Sequence, residues 1–562
     1  MFDLIIMLSR YLFVIYIGLY LWEAIVYIAY EQGGYLGSPY RAVSVQRRLV
    51  VLMHLTAFLI LSYNRDTYLF DWQALLFGAI SLVFLLVAIQ LLDRFYYEGC
   101  PLIWTGMLFL MDVSLIMLQR VDPALAHKQL VWMALGLAGM LALPSILRLI
   151  PRFEIFEWAY IIVCYGLLLF TQIFGVEHGG SQNWLEIGSI SFQPSEIAKF
   201  LFIFYLASVF RKRVELRELL ITGGLSAGVV ILLVLQKDLG SALIFFMTFM
   251  TMLYIATSNE VLFLMGMGAA SFAATIAYKL FSHVQVRVAA WRDPWADIDH
   301  GGYQIVTSLF AITTYGLFGS GLTKGMPVSI PVVESDCIFA AICEEFGALF
   351  GAGIICIFIM LLYRGIRITL DCTRRYYSLL AVGFTAMIAF QAFVIIGGVI
   401  KLIPLTGVTL PLVSYGGTSV LVSLMMFGIL QWVCVYCEQH SQAAAEPMQQ
   451  QYVENPKANE AIAAFNFFKT VDEIKESAAL DTDLKTWANA QSWKLSDESD
   501  VEISNVEYDF DPDHITAGTY QVTFSTQGRE FKIHTTDIAE EGAEVGLTFF
   551  PEDIHVMSKM GF

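Results

Sequence analysis

Unbroken apolar runs, rather than alternation, dominate the chain up to about Tyr436. A helix needs roughly 20 apolar residues to cross about 30 Å of hydrocarbon. Thirteen stretches approach or exceed that length: 3–30, 48–64, 70–92, 101–119, 127–147, 155–175, 194–210, 218–236, 239–257, 260–281, 337–363, 377–400 and 411–436. The partition of 218–257 around Lys237 and Asp238 can be drawn in another way, which fixes the count to within one. The first run has no basic leading segment and no small-residue cleavage site, so it reads as a retained membrane helix rather than a signal peptide. After Tyr436 comes EQHSQAAAEPMQQQYVENPKANE, a polar linker. Residues 460–500 suggest one or two short amphipathic helices, and 501–562 alternate as strands do, with Gln527–Gly528 as a turn within TYQVTFSTQGREFKIHTT. The pattern predicts an all-α polytopic membrane protein with a small, mainly β C-terminal domain.

Basic residues give these helices a direction, because cytoplasmic loops are enriched in Lys and Arg. Alternate loops hold Arg41, Arg47 and Arg48; Arg94; Arg148 and Arg152; Arg211, Lys212, Arg213 and Arg217; and Arg364, Arg367, Arg374 and Arg375. The opposite loops are poor in them, and 176–193 has none. The N-terminus and the long loops 176–193 and 282–336 are therefore expected outside, and the C-terminus in the cytoplasm. Composition fits a membrane protein: 57% hydrophobic and 15% charged over 562 residues, where a soluble domain carries about a quarter charged. Of the net charge of −17, most falls in 440–562, with 23 acidic against 8 basic residues. Such a tail is repelled by nucleic acid and by anionic headgroups. The eight cysteines lie mostly in apolar runs and predict neither a disulfide framework nor a metal cluster. Cys434–Val–Tyr–Cys437 stands without a second pair or a nearby His. With no P-loop, no GxGxxG and no recurring period, nucleotide-driven transport has no support.

Within the outer segments, 180–199 reads GSQNWLEIGSISFQPSEIAK. By itself Trp184 is an interfacial anchor, and Pro194 and Ser195 suit a first helical turn. Glu196 and Lys199, at i and i+3, share one helix face just inside the bilayer, where charges are costly and are candidates for function.

Four blocks in order carry a resemblance. Gly180, Trp184, Gly188, Gln193, Pro194, Ser195, Glu196 and Lys199 match G-x-x-[R/K]-W-hydrophobic-x-x-G followed by QPSE-x-x-K. Gln236–Ala242 resembles QPDLGTA; Arg287 through WRDPWADIDHGGYQIVTSLFAI, then Pro331 through ESDCIFAAICEEFG, resembles a large external loop and DFIFAVIGEELG; IPLTGVTLPLVSYGGTS at 403–419 resembles LPxTGxxLPFxSYGGSS. Together they span roughly 101–436 and resemble the SEDS (FtsW/RodA/SpoVE) family of peptidoglycan glycosyltransferases. The resemblance implies a ten-helix core at 96–438, which leaves about three additional helices in 1–95; the composition and the alternating pattern add a linker with short helices at 439–500 and a β domain at 501–562, expected in the cytoplasm from the loop charges. It implies polymerisation of lipid II beside a class B penicillin-binding protein, while composition and charge already predict a setting within membrane lipid and no nucleic-acid partner. The chain departs from the pattern at Asn183, where Arg or Lys is usual, at Lys237 for a Pro, at Cys337 for an aromatic, at Cys343 for a Gly and at Tyr315–Leu317, which lacks a double Gly. The segment GAEVGLTFFPEDIHVM also looks like the terminal strands of TOBE domains.

Because lipid pyrophosphate is a good leaving group, one base and a cationic clamp suffice for the reaction. By motif position the resemblance implies that Asp336 is the essential external carboxylate, expected to act as the base. By the residues alone, Ser335 or Asp336 caps the helix that follows. Lys199 and Arg287 are the expected clamp, with Lys324 and Lys401 behind them. The same resemblance assigns substrate contacts to Trp184, Gln193, Glu196, Thr406 and Tyr415. At least one of Glu344 and Glu345 is expected to hold a basic or hydroxyl partner. No cofactor is identifiable, and a divalent cation stays open. Two other classes remain: a transporter of lipid-linked sugar, and a catalytically silent scaffold. A carboxylate outside the bilayer favours the enzyme, since transporter sites lie near the midplane.

Overall fold

Proline opens four of the long helices: Pro39, Pro101, Pro123 and Pro194 each occupy the first turn, where a missing N–H costs nothing. Asp122 also caps the helix that Pro123 opens, and Asp71, Asp238 and Asn259 cap three others, all through side-chain oxygens. The computed structural model describes residues 2–31, 38–63, 70–97, 99–150, 152–178, 181–187, 190–212, 216–298, 301–454, 503–508, 520–526 and 529–535. The chain divides into two compact units, Met1–Glu438 and Gln439–Phe562.

In the first unit α1 (Phe2–Glu31), α2 (Pro39–Leu61) and α3 (Trp72–Phe95) pack on α4 (Pro101–Val121), α5 (Pro123–Leu149) and α14 (Ala348–Asp371). Then come α6 (Glu157–Phe174), α7 (Pro194–Phe210), α8 (Leu216–Leu235), α9 (Leu239–Thr257) and α10 (Glu260–Leu280). Two short outer helices, α11 (Ser282–Arg292) and α12 (Tyr303–Thr314), precede α13 (Ile338–Phe346). After α14 follow α15 (Arg375–Val399) and α16 (Gly417–Glu454). Among the described residues, twelve helices are long and apolar enough to cross a membrane; α7, at 17 residues, is a slightly shorter rod beside them. The protein is a multi-pass membrane protein. Its centre is α4, nearly every side chain of which is buried, whereas α10 has no buried residue.

Three features differ from the sequence-based expectation. The run 337–363 is not one helix: α13 ends at Phe346, Gly347 takes φ +94°, and α14 begins anew. A Cβ on Gly347 would sit 2.3 Å from the Leu317 carbonyl oxygen, so glycine both permits the turn and lets another strand of backbone approach. The loop after α6 is a small antiparallel meander, β1 (Val176–His178), β2 (Ser181–Ile187) and β3 (Ile190–Phe192), with Val176 opposite Trp184 and Leu185 opposite Phe192. Cys372 and Cys437 form a disulfide, their Cα atoms 5.3 Å apart, which joins the α14–α15 linker to α16. The sequence-based expectation is of no disulfide framework; among the described residues there is this single bond, made across a separation of 65 residues.

In the second unit, β4 (Ile503–Tyr508), β5 (Tyr520–Thr526) and β6 (Arg529–Thr535) form an antiparallel sheet in that order. The short helices read at 460–500 and the TOBE-like ending lie outside the described residues.

Candidate active site

Asp336 sits in a turn just ahead of α13, outside the spanning helices. That turn is clasped by the segment 403–416. Tyr415 N donates to the Glu334 carbonyl at 2.7 Å, and Ser414 Oγ donates to the Ser335 carbonyl while accepting from Leu410 N at 2.8 Å. The fully buried Gln129 of α5 holds Ser414 in turn, donating to its carbonyl at 3.0 Å. Tyr415 thus contributes its backbone, and its ring is half-buried.

Ser335 Oγ donates to Asp336 Oδ1 at 3.0 Å. Across from the carboxylate lies Arg287 of α11, whose Nη1 donates to the Leu405 carbonyl at 3.2 Å. Trp291 fixes the same helix through Nε1 to the Lys401 carbonyl at 3.2 Å. Gly407, at φ +73°, stands between the two charges: a Cβ there would lie 3.4 Å from Asp336 Oδ2 and 3.9 Å from Arg287 Nη2. Burial pushes the Asp336 carboxyl up to about 6 from 3.8; Ser335 and Arg287 pull it down, and Glu334 and Asp238 push it further up. A carboxylate of that basicity can accept a proton near neutrality, which an ordinary one does poorly.

Nearby is a second acid that sequence reading passed over. Asp238 caps α9, accepting from Ser241 N at 3.0 Å and Ser241 Oγ at 2.9 Å; it also accepts from Asn183 Nδ2 at 2.8 Å and Gln193 Nε2 at 3.4 Å. Asn183, where Arg or Lys was expected, therefore gives this buried carboxylate a neutral partner. Lys237 turns away to Glu177 at 3.1 Å. Thr406 packs against Gly240 at the start of α9, its Oγ1 buried with no hydrogen-bond partner among the described residues. Trp184 is half-buried in β2.

Lys199 departs from the expected outward-facing clamp. It is fully buried, with Nζ 2.6 Å from Glu196 Oε1 and 3.0 Å from Gln391 Oε1. Gln391 Nε2 continues to the Thr409 carbonyl at 2.9 Å, so this centre ties α7 and α15 to the segment that clasps the Asp336 turn. As expected of Glu344 and Glu345, one has a basic partner: Arg120 Nε donates to Glu345 Oε1 at 2.9 Å. Glu344 Oε1 accepts from Met326 N at 2.8 Å.

A multi-pass helical bundle that holds a raised carboxyl against a guanidinium, in a turn beyond its apolar spans, has the parts of a membrane-embedded transferase. The sequence profile of the FtsW/RodA/SpoVE family, described as cell cycle protein, matches residues 94–439, and the chain belongs to that family. The peptidoglycan glycosyltransferase RodA of Mycobacterium tuberculosis H37Rv is 31% identical over 411 residues, 66% of this chain and 86% of the relative. Stage V sporulation protein E of Bacillus subtilis is 32% identical over 326 residues, 55% of this chain and 87% of the relative. Among solved structures, a chain from a study of polymerization and crosslinking by a peptidoglycan synthase complex superposes with a TM-score of 0.52 at 25% identity, covering 60% of this chain and 98% of that one.

Proposed function

We propose that this chain is a peptidoglycan glycosyltransferase that polymerises lipid II on the outer face of the cytoplasmic membrane, with Asp336 as general base. The observation that carries the reading is the carboxylate of Asp336 facing Arg287 across Gly407, at the motif position of the family's acid. Asp336 takes the proton of the acceptor sugar hydroxyl as its oxygen bonds to the donor's anomeric carbon. The bond to pyrophosphate breaks, the electron pair leaves with the lipid pyrophosphate, and Arg287 offsets the growing charge. Asn183, Gln193, Thr406 and Trp184, grouped around the start of α9 and on β2, are the substrate-positioning groups in this reading. Glu196 and Lys199 act behind them as a support.

In this reading the N-terminus is outside and the C-terminus in the cytoplasm, which the distribution of basic residues among the loops supports. A class B penicillin-binding protein is the proposed partner, in keeping with the synthase complex that contains the structural relative. The transporter reading is weaker because the acid lies in a turn beyond the spans rather than at mid-bilayer. The deciding experiment incubates purified protein with lipid II, alone and with the transpeptidase, and looks for glycan polymer on a gel. Absence of polymer under both conditions, together with movement of lipid II across vesicle bilayers, would select the transporter.

A further inference from the structure

The family profile begins at residue 94, so α1 to α3 are additions to the core. α1 is fastened to that core at both ends. At one end Arg364 of α14 pairs with Glu31 through Nη1 and donates from Nε to Cys100 Sγ at 3.0 Å. Midway, Ile17 fills the space over Gly353, where a Cβ would lie 2.5 Å from Ile17 Cδ1. At the other end Arg10 Nη1 donates to the Gly319 carbonyl at 3.4 Å, and Arg10 Nη2 donates to Tyr11 Oη at 2.8 Å. Tyr11 packs on Phe318 with ring centroids 4.9 Å apart, and Phe13 meets Phe346 edge-on at 4.8 Å.

The backbone that Arg10 and Tyr11 hold is itself the end-stop of α13. Ser320 N donates to the Glu344 carbonyl at 2.8 Å and Gly321 N to the Glu345 carbonyl at 2.9 Å, filling acceptors that the last turn of α13 leaves open. Gly319, at φ +72°, allows this: a Cβ there would lie 2.5 Å from both Glu345 O and Gly347 N. α13 is nine residues long, a rod of about 13 Å, and Asp336 sits two residues ahead of its first residue. One end of the rod is set by α1 and the 316–321 turn, and the other carries the carboxylate.

We infer that α1 is a built-in brace for the catalytic turn, with Arg10 a positioning residue that acts on Asp336 through the 316–321 turn and α13. The inference rests on the reading of Asp336 as the base. A brace of this kind sets where the carboxylate stands against Arg287 without touching substrate, so its loss lowers kcat and leaves KM in place.

The test uses the full-length purified protein with Arg10→Gln, and Arg10→Lys as the conservative variant that keeps a cationic donor. Cys337, fully buried beside Asp336, reports the turn without any reference to activity: its alkylation by a soluble maleimide is followed by peptide mass spectrometry. For Arg10→Gln we expect Cys337 alkylation to rise about tenfold, equivalent to about 1.4 kcal/mol in the opening equilibrium. The expected kcat for glycan polymer falls about fivefold, KM for lipid II stays within about twofold, and Arg10→Lys stays near wild type. The brace is refuted if Cys337 remains as protected as in wild type, whatever the thermal stability does, or if alkylation rises with kcat unchanged. Asp336→Asn is run alongside. Polymer from that variant overturns the assignment of the base, whereas the alkylation of Cys337 still decides whether α1 holds the turn.

Discussion

Replacing Asp336 by Asn should give a protein that is folded, more heat-resistant above neutrality, and unable to make glycan. Asn keeps the volume and an acceptor for Ser335 Oγ but cannot take a proton. The stability sign follows from the carboxyl standing at about 6 in the folded protein against an ordinary 3.8. The native state binds that proton more tightly than the unfolded chain, so ionising the group costs stability, and the cost grows as pH rises from about 4 to 6. About two pH units at about 1.4 kcal/mol each set a ceiling of about 3 kcal/mol. Partial exposure and solvent screening reduce this to about 1–2 kcal/mol. The advantage of Asp336→Asn is therefore full at about pH 8, shrinks as pH falls through about 6, and vanishes below about 4. Thermal unfolding of detergent-solubilised wild type and variant across that range measures it, with polymerisation followed on the same samples. Wild-type rate should fall about tenfold per pH unit below about 6, because only the ionised carboxylate acts as base. Wild-type polymer from Asp336→Asn, a variant less stable than wild type at high pH, or a rate with no acid limb near 6 would each refute the reasoning.

Lys199→Met leaves Glu196 buried without its cation and should cost about 3–5 kcal/mol, seen as lost folded protein in size-exclusion profiles. A well-folded variant with weakened lipid II use would instead restore Lys199 to the clamp. Arg287→Met removes a charge that holds the Asp336 carboxyl down, so the acid limb of the rate profile should move to higher pH while KM for lipid II rises. An unchanged profile would assign the clamp to other cations. Truncation near Gln442 should preserve polymerisation in vitro and alter regulation in the cell. Loss of polymer from an intact membrane unit would show that the acidic tail is coupled to the site.

The helices were legible because span length is a property of consecutive residues, and because Pro and Asp mark their first turns. Asp336 was legible only as part of a motif block, since the same Ser335–Asp336 pair also reads as a cap. The break at Gly347 was hidden: apolar residues continue through it, and only the approach of Leu317 and Gly319 from elsewhere in the chain requires a turn there. Asp238 was masked by the opposite ambiguity, being a genuine cap as well as a neighbour of the site. The burial of Lys199 and the Cys372–Cys437 bond depend on partners 192 and 65 residues distant, a relation that no local pattern carries.

The Lys199 centre also bears on how the chain is built into the bilayer. α7 emerges from the ribosome with two charges in its first turns, where each costs less than the roughly 2.5–3.5 kcal/mol of a helix centre but still opposes insertion. Its own Glu196–Lys199 pair can form at once, being i to i+3. Gln391, which completes the shell around the ammonium, is synthesised 192 residues later. At about 5–20 residues per second that is a wait of about 10–40 s. During that interval α7 must shelter against α6, its most extensive neighbour, and the translocation machinery. The arrival of α15 then converts a loosely held helix into a fixed one, so the late-made half of the protein commits the early-made half to its final depth.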